Sequence, residues 1–134
     1  EVFCVGGNRS DEILDVEDTV QILLIYANFS VQINLCFMHK KQSRSFHVAG
    51  TSGDITWNDS TDELKSSFFN NKVEDYIDTD IINNDDMFYR QAQKFLTNWS
   101  DSDTLLSLRS ARSSLAIVEA AKKSIITGKK EKVF

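Results

Sequence analysis

The sequence predicts an α+β fold: a mostly antiparallel sheet of about six strands, with two C-terminal helices packed on one face. Three observations predict it. Apolar and polar residues alternate over much of the first two thirds of the chain, the last third has apolar residues at helical spacing, and short turns separate the elements. Strands followed by helices are typical of α+β domains. The 134 residues, 41% of them hydrophobic, are enough for a single domain over 1–134.

The centre of the predicted sheet is a hairpin. Val20–Tyr26 is apolar on both faces, which suits a strand inside a sheet, and Val31–His39 alternates between apolar and polar residues. Asn28 lies in the short turn between them, where it tolerates a positive φ. Further strands are predicted at Glu1–Val5, Ser43–Ala49, Asp54–Trp57 and Glu63–Phe68, with a turn at Gly50–Gly53.

Two helices are predicted in the last third. The first begins with Asp85 or Asp86 as its N-cap and carries an apolar stripe at i, i+4, i+7, i+8 and i+11, which is Phe88, Ala92, Phe95, Leu96 and Trp99. The second runs from about Ser107 to Thr127, and Gly128 supplies its C-terminal stop. The acidic stretch 70–86 is predicted as a loop.

Charge and hydropathy exclude two classes of partner. The net charge is −5, with 8 basic and 18 acidic side chains in residues 1–103 and 7 and 2 in residues 104–134. The late basic residues lie at and after a helix C-terminus, where cations complement the helix dipole, so we expect no nucleic-acid partner. The longest apolar run, Ile22–Ala27, is far shorter than the roughly 20 residues of a membrane span, so we expect no membrane partner.

The sequence predicts no catalytic, cofactor-binding or metal-binding residues. His39 and His47 have no carboxylate at ligand spacing, and Cys36 has no evident orienting group for Cys–His catalysis. The acidic stretch Glu74–Asp86 lacks the pattern of a calcium loop. Gly50–Gly53 lacks the lysine and the following helix of a phosphate loop.

Two cysteines bear on the compartment. Cys4 and Cys36 allow one disulfide at most, and a cysteine inside a strand behaves as a small apolar residue. We therefore expect reduced thiols and a cytoplasmic protein. A secreted, non-enzymatic β-rich binding module is an alternative, supported by the cysteine pair and by four Asn-x-Ser triplets, at Asn8, Asn28, Asn58 and Asn98. A stand-alone assembly protein is another.

Three stretches, taken together, resemble a known family. Val16-Glu17-Asp18 precedes the hairpin, Val48–Trp57 contains Gly50-Thr-Ser-Gly53 followed by Ile55 and Trp57, and Leu115–Lys129 reads LAIVEAAKKSIITGK. In this order and spacing they resemble the C-terminal domain of the glucose–fructose oxidoreductase/inositol dehydrogenase (Gfo/Idh/MocA) family. In that family an acidic v-E-D opens a long hairpin, a G-x-x-G-x-I-x-W turn joins two strands, and an I-V-E-A-A-x-x-S-x-x-x-G-K helix ends the chain. The resemblance covers about residues 14–132.

The resemblance implies that the chain is a fragment of an NAD(P)-dependent oxidoreductase. Such a parent transfers a hydride between NAD or NADP and a sugar, cyclitol or sugar-nucleotide hydroxyl. This chain would be its C-terminal substrate and oligomerisation domain, with a fold like the C-terminal domains of dihydrodipicolinate reductase and glyceraldehyde-3-phosphate dehydrogenase. The N-terminal Rossmann domain would be absent, and with it the cofactor. Because the chain has no proline, the family's catalytic Glu-Lys-Pro motif cannot lie within it, so the fragment alone is expected to be inactive.

The resemblance also implies a homo-oligomer built through an open sheet face. The alternation places Val31, Ile33, Leu35 and Phe37 under the helices, and the opposite face is too apolar in places to be simply solvated. The candidate interface residues on that face are Leu23, Ile25, Gln32, Asn34 and Met38. The family usually has Asn-Gly in the hairpin turn where this chain has Asn28-Phe29.

Overall fold

The computed structural model describes residues 1–11, 15–61, 63–69, 71–78, 84–98 and 108–134. These residues form antiparallel sheets and helices, so the fold class is α+β, as the sequence predicts. The strands are β1 (Val2–Gly7), β2 (Thr19–Ile25), β3 (Ser30–Cys36), β4 (Ser45–Ala49), β5 (Gly53–Asn58), β6 (Glu63–Phe68) and β7 (Asn71–Asp78). The helices are α1 (Asn84–Asn98) and α2 (Leu108–Thr127).

The prediction of one sheet of about six strands is wrong. Strands β1, β2 and β3 form a three-stranded sheet, and β4, β5, β6 and β7 form a four-stranded sheet. The segment 37–44 between β3 and β4 is longer than the loops of about two to five residues that join hairpins. The alternation therefore predicts the strands but not which of them pair.

The loop prediction for 70–86 is also wrong over Asn71–Asp78, which is strand β7, while residues 79–83 lie outside the described part of the chain.

The chain divides into two compact units. One comprises Glu1–Lys40 with Ser100–Phe134 and contains the three-stranded sheet and α2. The other comprises Lys41–Trp99 and contains the four-stranded sheet and α1.

The three-stranded sheet has two faces that the strand register defines. Residues directly opposite each other in neighbouring strands point to the same side. The helix face consists of Val2, Cys4, Gly6, Val20, Ile22, Leu24, Val31, Ile33 and Leu35. The open face consists of Phe3, Val5, Gly7, Thr19, Gln21, Leu23, Ile25, Ser30, Gln32, Asn34 and Cys36. Val31, Ile33 and Leu35 thus lie on the helix side, as the alternation predicts. The same prediction is wrong for Phe37, which follows the end of β3 and is 81% exposed.

Helix α2 packs on the helix face and closes a small core. Ala120 and Ala121 are buried against Val2, Cys4 and Leu24. Partly buried apolar residues of both elements surround this centre, namely Val20, Ile22, Ile33, Ile117 and Ile125. Because alanine has the shortest apolar side chain, two of them in succession let the helix backbone lie close to β1.

A buried hydroxyl joins α2 to the edge of the sheet. Ser124 is fully buried, its Oγ accepts a hydrogen bond from the Cys4 N–H (2.9 Å), and the same hydroxyl donates to the carbonyl oxygen of Lys129 (2.6 Å). Gly128, with φ of 65°, ends the helix and turns the chain back towards β1. Beyond this turn, Val2 and Glu131 exchange two backbone hydrogen bonds of 2.8 Å each.

The side chain of Glu131 fixes this C-terminal turn. Its carboxylate accepts a hydrogen bond from the Thr127 hydroxyl (2.8 Å) and forms an ion pair with the Lys123 ammonium (2.7 Å). Lys123, and after it Thr127, lowers the pKa of Glu131. The residues after α2 are therefore held along β1 by side chains as well as by backbone pairing.

The four-stranded sheet is amphipathic. Phe46, Trp57 and Leu64 are aligned across β4, β5 and β6, and the rings of Phe46 and Trp57 stack with centroids 5.8 Å apart. Gly53 begins β5 opposite β6, where a Cβ atom would collide with the carbonyl oxygen of Ser67. The second glycine of the Gly50–Gly53 turn is thus required by the close approach of a neighbouring strand.

The prediction that both helices pack on a sheet face is wrong for α1. Phe88, Phe95 and Leu96, which belong to its predicted apolar stripe, are each more than half exposed. Helical periodicity identifies the apolar side of a helix but not a partner for it. Trp99, the last residue of that stripe, lies outside the described residues.

We predict that Ser124→Ala lowers the free energy of unfolding by about 1–3 kcal/mol, because the buried N–H of Cys4 and the carbonyl of Lys129 lose their shared partner. Urea denaturation measures the change. Ser114→Ala is the matched control, since Ser114 is an exposed α2 serine whose hydroxyl bonds only to the helix backbone at Ser110. Equal stability of the two variants would contradict the role assigned to Ser124.

Candidate functional site

The open face of the three-stranded sheet is the surface to which the sequence assigns a function. The structure brings four of the five candidate residues together on it. Leu23 lies directly opposite Gln32, while Ile25 and Asn34 lie further along the same two strands on the same side. Met38 is the exception, because β3 ends at Cys36 and Met38 follows it as an exposed residue outside the sheet.

The first strand adds two apolar residues that sequence reasoning missed. Phe3 lies opposite Leu23 and Val5 lies opposite Gln21, so both belong to the open face. Val5 and Leu23 are exposed, and Phe3 is partly exposed. Residues 2–5 are all apolar, so the sequence does not show which of them face the helix; the structure buries Val2 and Cys4 and turns Phe3 and Val5 to the other side. The open face therefore has an apolar centre bordered by amides.

A buried carboxylate fixes one end of this sheet. Asp18 precedes β2, and its two carboxylate oxygens accept backbone hydrogen bonds from Arg9 (2.9 and 3.0 Å) and Ser10 (2.8 Å). The Ser10 hydroxyl is buried beside the carboxylate without the geometry of a full hydrogen bond. The proximity of that hydroxyl, with the two backbone N–H groups and the Thr19 side chain, lowers the pKa of Asp18 to about 2. The acidic residue before the hairpin thus anchors the end of β1 to the start of β2.

The two cysteines lie on opposite sides of the sheet. Cys4 belongs to the helix face and Cys36 to the open face, so they cannot form a disulfide with each other in this fold. Burial, with a smaller contribution from the charge of Glu17, raises the pKa of the Cys4 thiol. A protonated, buried thiol is a poor nucleophile. Cys36 lies 3.6 Å from the Thr19 hydroxyl.

The histidines offer one ionic contact. His47 in β4 lies 3.5 Å from Asp54 in β5, on the polar side of the four-stranded sheet, and His39 is exposed after β3. Within the part of the chain that the structure describes, no three His, Cys, Asp or Glu side chains lie close enough together to hold a metal ion. The arrangement of His47 and Asp54 is that of an exposed surface pair.

An apolar pocket of about 130 Å³ lies at one end of the three-stranded sheet. Its wall is made by Glu1, Val2, Leu24, Ile25, Tyr26, Ile117 and Val133. Sites for small ligands and cofactors typically enclose about 300–1,000 Å³. This pocket is therefore too small for a dinucleotide.

An aromatic pair closes the turn between β2 and β3. Tyr26 and Phe29 pair across the turn through a backbone hydrogen bond of 3.0 Å, and their rings stack with centroids 4.4 Å apart. Ala27 and Asn28 are thus the central residues of the turn. Phe29 is the residue directly before β3.

Comparison with known proteins finds no relative. No family model, curated protein or solved structure matches this chain.

Neither α1 nor α2, as far as the structure describes the chain, has the length and apolar character needed to cross a membrane.

We predict that Asp18→Asn reduces the acid sensitivity of folding. The folded carboxyl has a pKa of about 2 against an ordinary value of 3.8, so its contribution is complete above pH 3.8 and is lost as the pH falls towards 2. The variant should be less stable than the wild type at neutral pH, and the difference should shrink between these two pH values. Urea denaturation across this range measures it.

Two comparisons make this test specific. Glu63 and Glu131 also have lowered pKa values, so both proteins lose stability in acid and only the difference between their curves reports on Asp18. Asp15→Asn removes an exposed carboxylate from the same segment and should follow the wild type. A difference between wild type and Asp18→Asn that stays constant with pH would contradict the anchoring role.

Proposed function

We propose that this chain is the C-terminal domain of a Gfo/Idh/MocA-type oxidoreductase. In the parent enzyme it shapes the pocket for a sugar, cyclitol or sugar-nucleotide substrate and mediates oligomerisation through an open sheet face. The hydride is exchanged with NAD or NADP, which binds to an N-terminal Rossmann domain outside this chain. The chain alone is not catalytic.

The observation that carries the proposal is the role of the motif residues in α2. In the segment that resembles the family helix, Ala120 and Ala121 pack on β1, Ser124 bonds to the β1 backbone, and Gly128 ends the helix. These four positions therefore favour a small apolar residue, a hydroxyl-bearing residue or a glycine. A chance resemblance in sequence would not be expected to select these positions.

Two other motif segments support the same proposal. Asp18 of the v-E-D stretch is the buried anchor before the hairpin, and Gly53 of the G-x-x-G turn begins a strand where a side chain would collide with its neighbour. The motifs thus coincide with positions at which the backbone geometry restricts the residue type. Their role is structural, which suits a domain that shapes a site whose catalytic groups lie elsewhere.

The open face is the proposed surface for oligomerisation. Its apolar centre contains Phe3, Val5 and Leu23, and apolar side chains exposed together on a sheet are typical of interfaces. We place the parent enzyme in the cytoplasm. The two cysteines of this chain lie on opposite faces of the sheet, so they do not form the disulfide that an oxidising compartment would favour.

The proposal predicts a difference between the chain alone and the complete reading frame that contains it. Titration of the chain alone with NADH should leave its fluorescence unquenched. The chain alone should also fail to reduce NAD⁺ or NADP⁺. The complete protein should bind NADH and reduce one of the two cofactors with a sugar, cyclitol or sugar nucleotide. Fluorescence titration with NADH and absorbance at the nicotinamide band measure both. A complete protein without dinucleotide binding would contradict the proposal, as would turnover by the chain alone.

A further inference from the structure

The two edges of the three-stranded sheet differ in their backbone hydrogen bonding. Along β1, the outward N–H of Val2 bonds to Glu131 and the outward N–H of Cys4 bonds to Ser124. Along β3, the opposite edge, no described strand pairs with the outer side. Among the described residues, one edge is therefore closed within the chain and the other is open.

The direction of the β3 backbone groups follows from the hydrogen bonds at its two ends. Tyr26 N–H donates to Phe29 and Phe37 N–H donates to Asp18, so Phe29 and Phe37 turn their backbone groups inward to β2. Backbone groups alternate in direction along a strand. The N–H and C=O groups of Ser30, Gln32, Asn34 and Cys36 therefore point to the open side.

Nothing in β3 discourages pairing with another strand. Its sequence, SVQINLC, contains no charged residue and no proline, and its pairing with β2 is regular from end to end. Proteins usually protect an exposed edge with charges, prolines, bulges or a covering segment. Val31 and Leu35 are also 37% and 54% exposed although they belong to the helix face, because no strand flanks them on the outside.

The residues of β3 form a chemical palindrome centred on Ile33. Gln32 and Asn34 flank the centre with amides, Val31 and Leu35 follow as branched apolar residues, and Ser30 and Cys36 stand at the ends. When a strand pairs antiparallel with its own copy about a two-fold axis, each residue meets the one equidistant on the other side of the centre. Every pair formed in this way would be chemically matched.

We propose that β3 pairs antiparallel with β3 of a second copy of this chain, across a two-fold axis through Ile33. In this register Val31 meets Leu35 of the second copy and Gln32 meets Asn34, so the apolar residues cover each other and the amides form cross-strand pairs. The outward backbone groups of the two strands form about eight hydrogen bonds.

This arrangement explains the asymmetry between the edges. The two three-stranded sheets become one six-stranded sheet, with both copies of α2 on the same side and both open faces on the other. The proposal goes beyond the function proposed above, because it concerns an edge instead of a face and does not depend on the family. Its test therefore includes variants of both surfaces.

Charge exchange at the paired amides tests the proposal. Gln32 and Asn34 are exposed, so their replacement leaves the core intact. Gln32→Lys/Asn34→Lys places like charges opposite each other twice across the axis, and Gln32→Glu/Asn34→Glu does the same with the opposite sign. Each variant should self-associate about 30-fold more weakly than the wild type, and an equimolar mixture of the two should form heterodimers at wild-type strength or better.

Sedimentation equilibrium measures association, and because an edge contact is small the concentration should extend from about 10 µM to about 1 mM. Gln91→Lys/Gln93→Lys adds the same charge at exposed positions of α1, outside the three-stranded sheet, and should behave as the wild type. A strictly monomeric wild type would overturn the proposal. So would two charge variants that associate normally by themselves, or a mixture that fails to restore association.

Leu23→Asp separates the edge from the open face. Ile126→Asp in α2 is its matched control, because Ile126 is an apolar side chain that is 85% exposed and lies outside that face. If Leu23→Asp alone abolishes association while the charge variants at Gln32 and Asn34 do not, the edge proposal fails and the face interface stands. If the charge variants abolish association, their mixture restores it and Leu23→Asp associates like Ile126→Asp, the edge proposal holds whatever the parent enzyme does. Loss of association in Leu23→Asp as well would assign the contact to the open face and overturn the edge proposal.

Discussion

The docking of α2 on β1 is the contact on which the first unit depends. The three-stranded sheet is too small to bury its own apolar face, and the core consists of that face closed by Ala120 and Ala121. The Ser124 hydroxyl adds the directional part of this contact, since it satisfies a strand N–H and a carbonyl of the chain beyond the helix at once. A purely apolar contact would hold the helix against the sheet without fixing its position along the strand.

The same contact determines what the sheet can do. Because the chain after α2 returns along β1, the edge of β1 is occupied, and in the described part of the chain the edge of β3 is the one left for a partner. Asp18 holds Arg9 and Ser10 beside the start of β2, and the open face and the open edge share the hairpin of β2 and β3. Because further strands can pair at one edge of this sheet and not at the other, pairing of two copies leaves no second edge for a third copy. This favours a closed dimer over an open-ended assembly.

The sequence predicts the parts of this fold that local chemistry determines. The alternation in residues 31–35 correctly separates the two faces of β3, and the glycine after Thr127 correctly ends α2. It does not predict that the strands divide between two sheets, because periodicity contains no information on which edges meet. It also does not predict the exposure of the α1 stripe, because an apolar stripe shows only that a partner is favourable.

The candidate site could be predicted only in part for a similar reason. Leu23, Ile25, Gln32 and Asn34 share the open face because strand parity is visible in the sequence, whereas Met38 was assigned to it by extending that parity beyond the end of β3 at Cys36. The contributions of Phe3 and Val5 depend on β1 lying beside β2, which is a fact of topology.

Amide hydrogen exchange, measured residue by residue as a function of protein concentration, tests the central claim that one edge is closed within the chain and the other by a second copy. The Cys4 amide should be protected at every concentration, because its partner Ser124 belongs to the same chain. The amides of Gln32 and Asn34 should exchange rapidly in dilute solution and become protected as the concentration rises. Protection of these two amides that does not change with concentration, or rapid exchange at Cys4, would contradict the account.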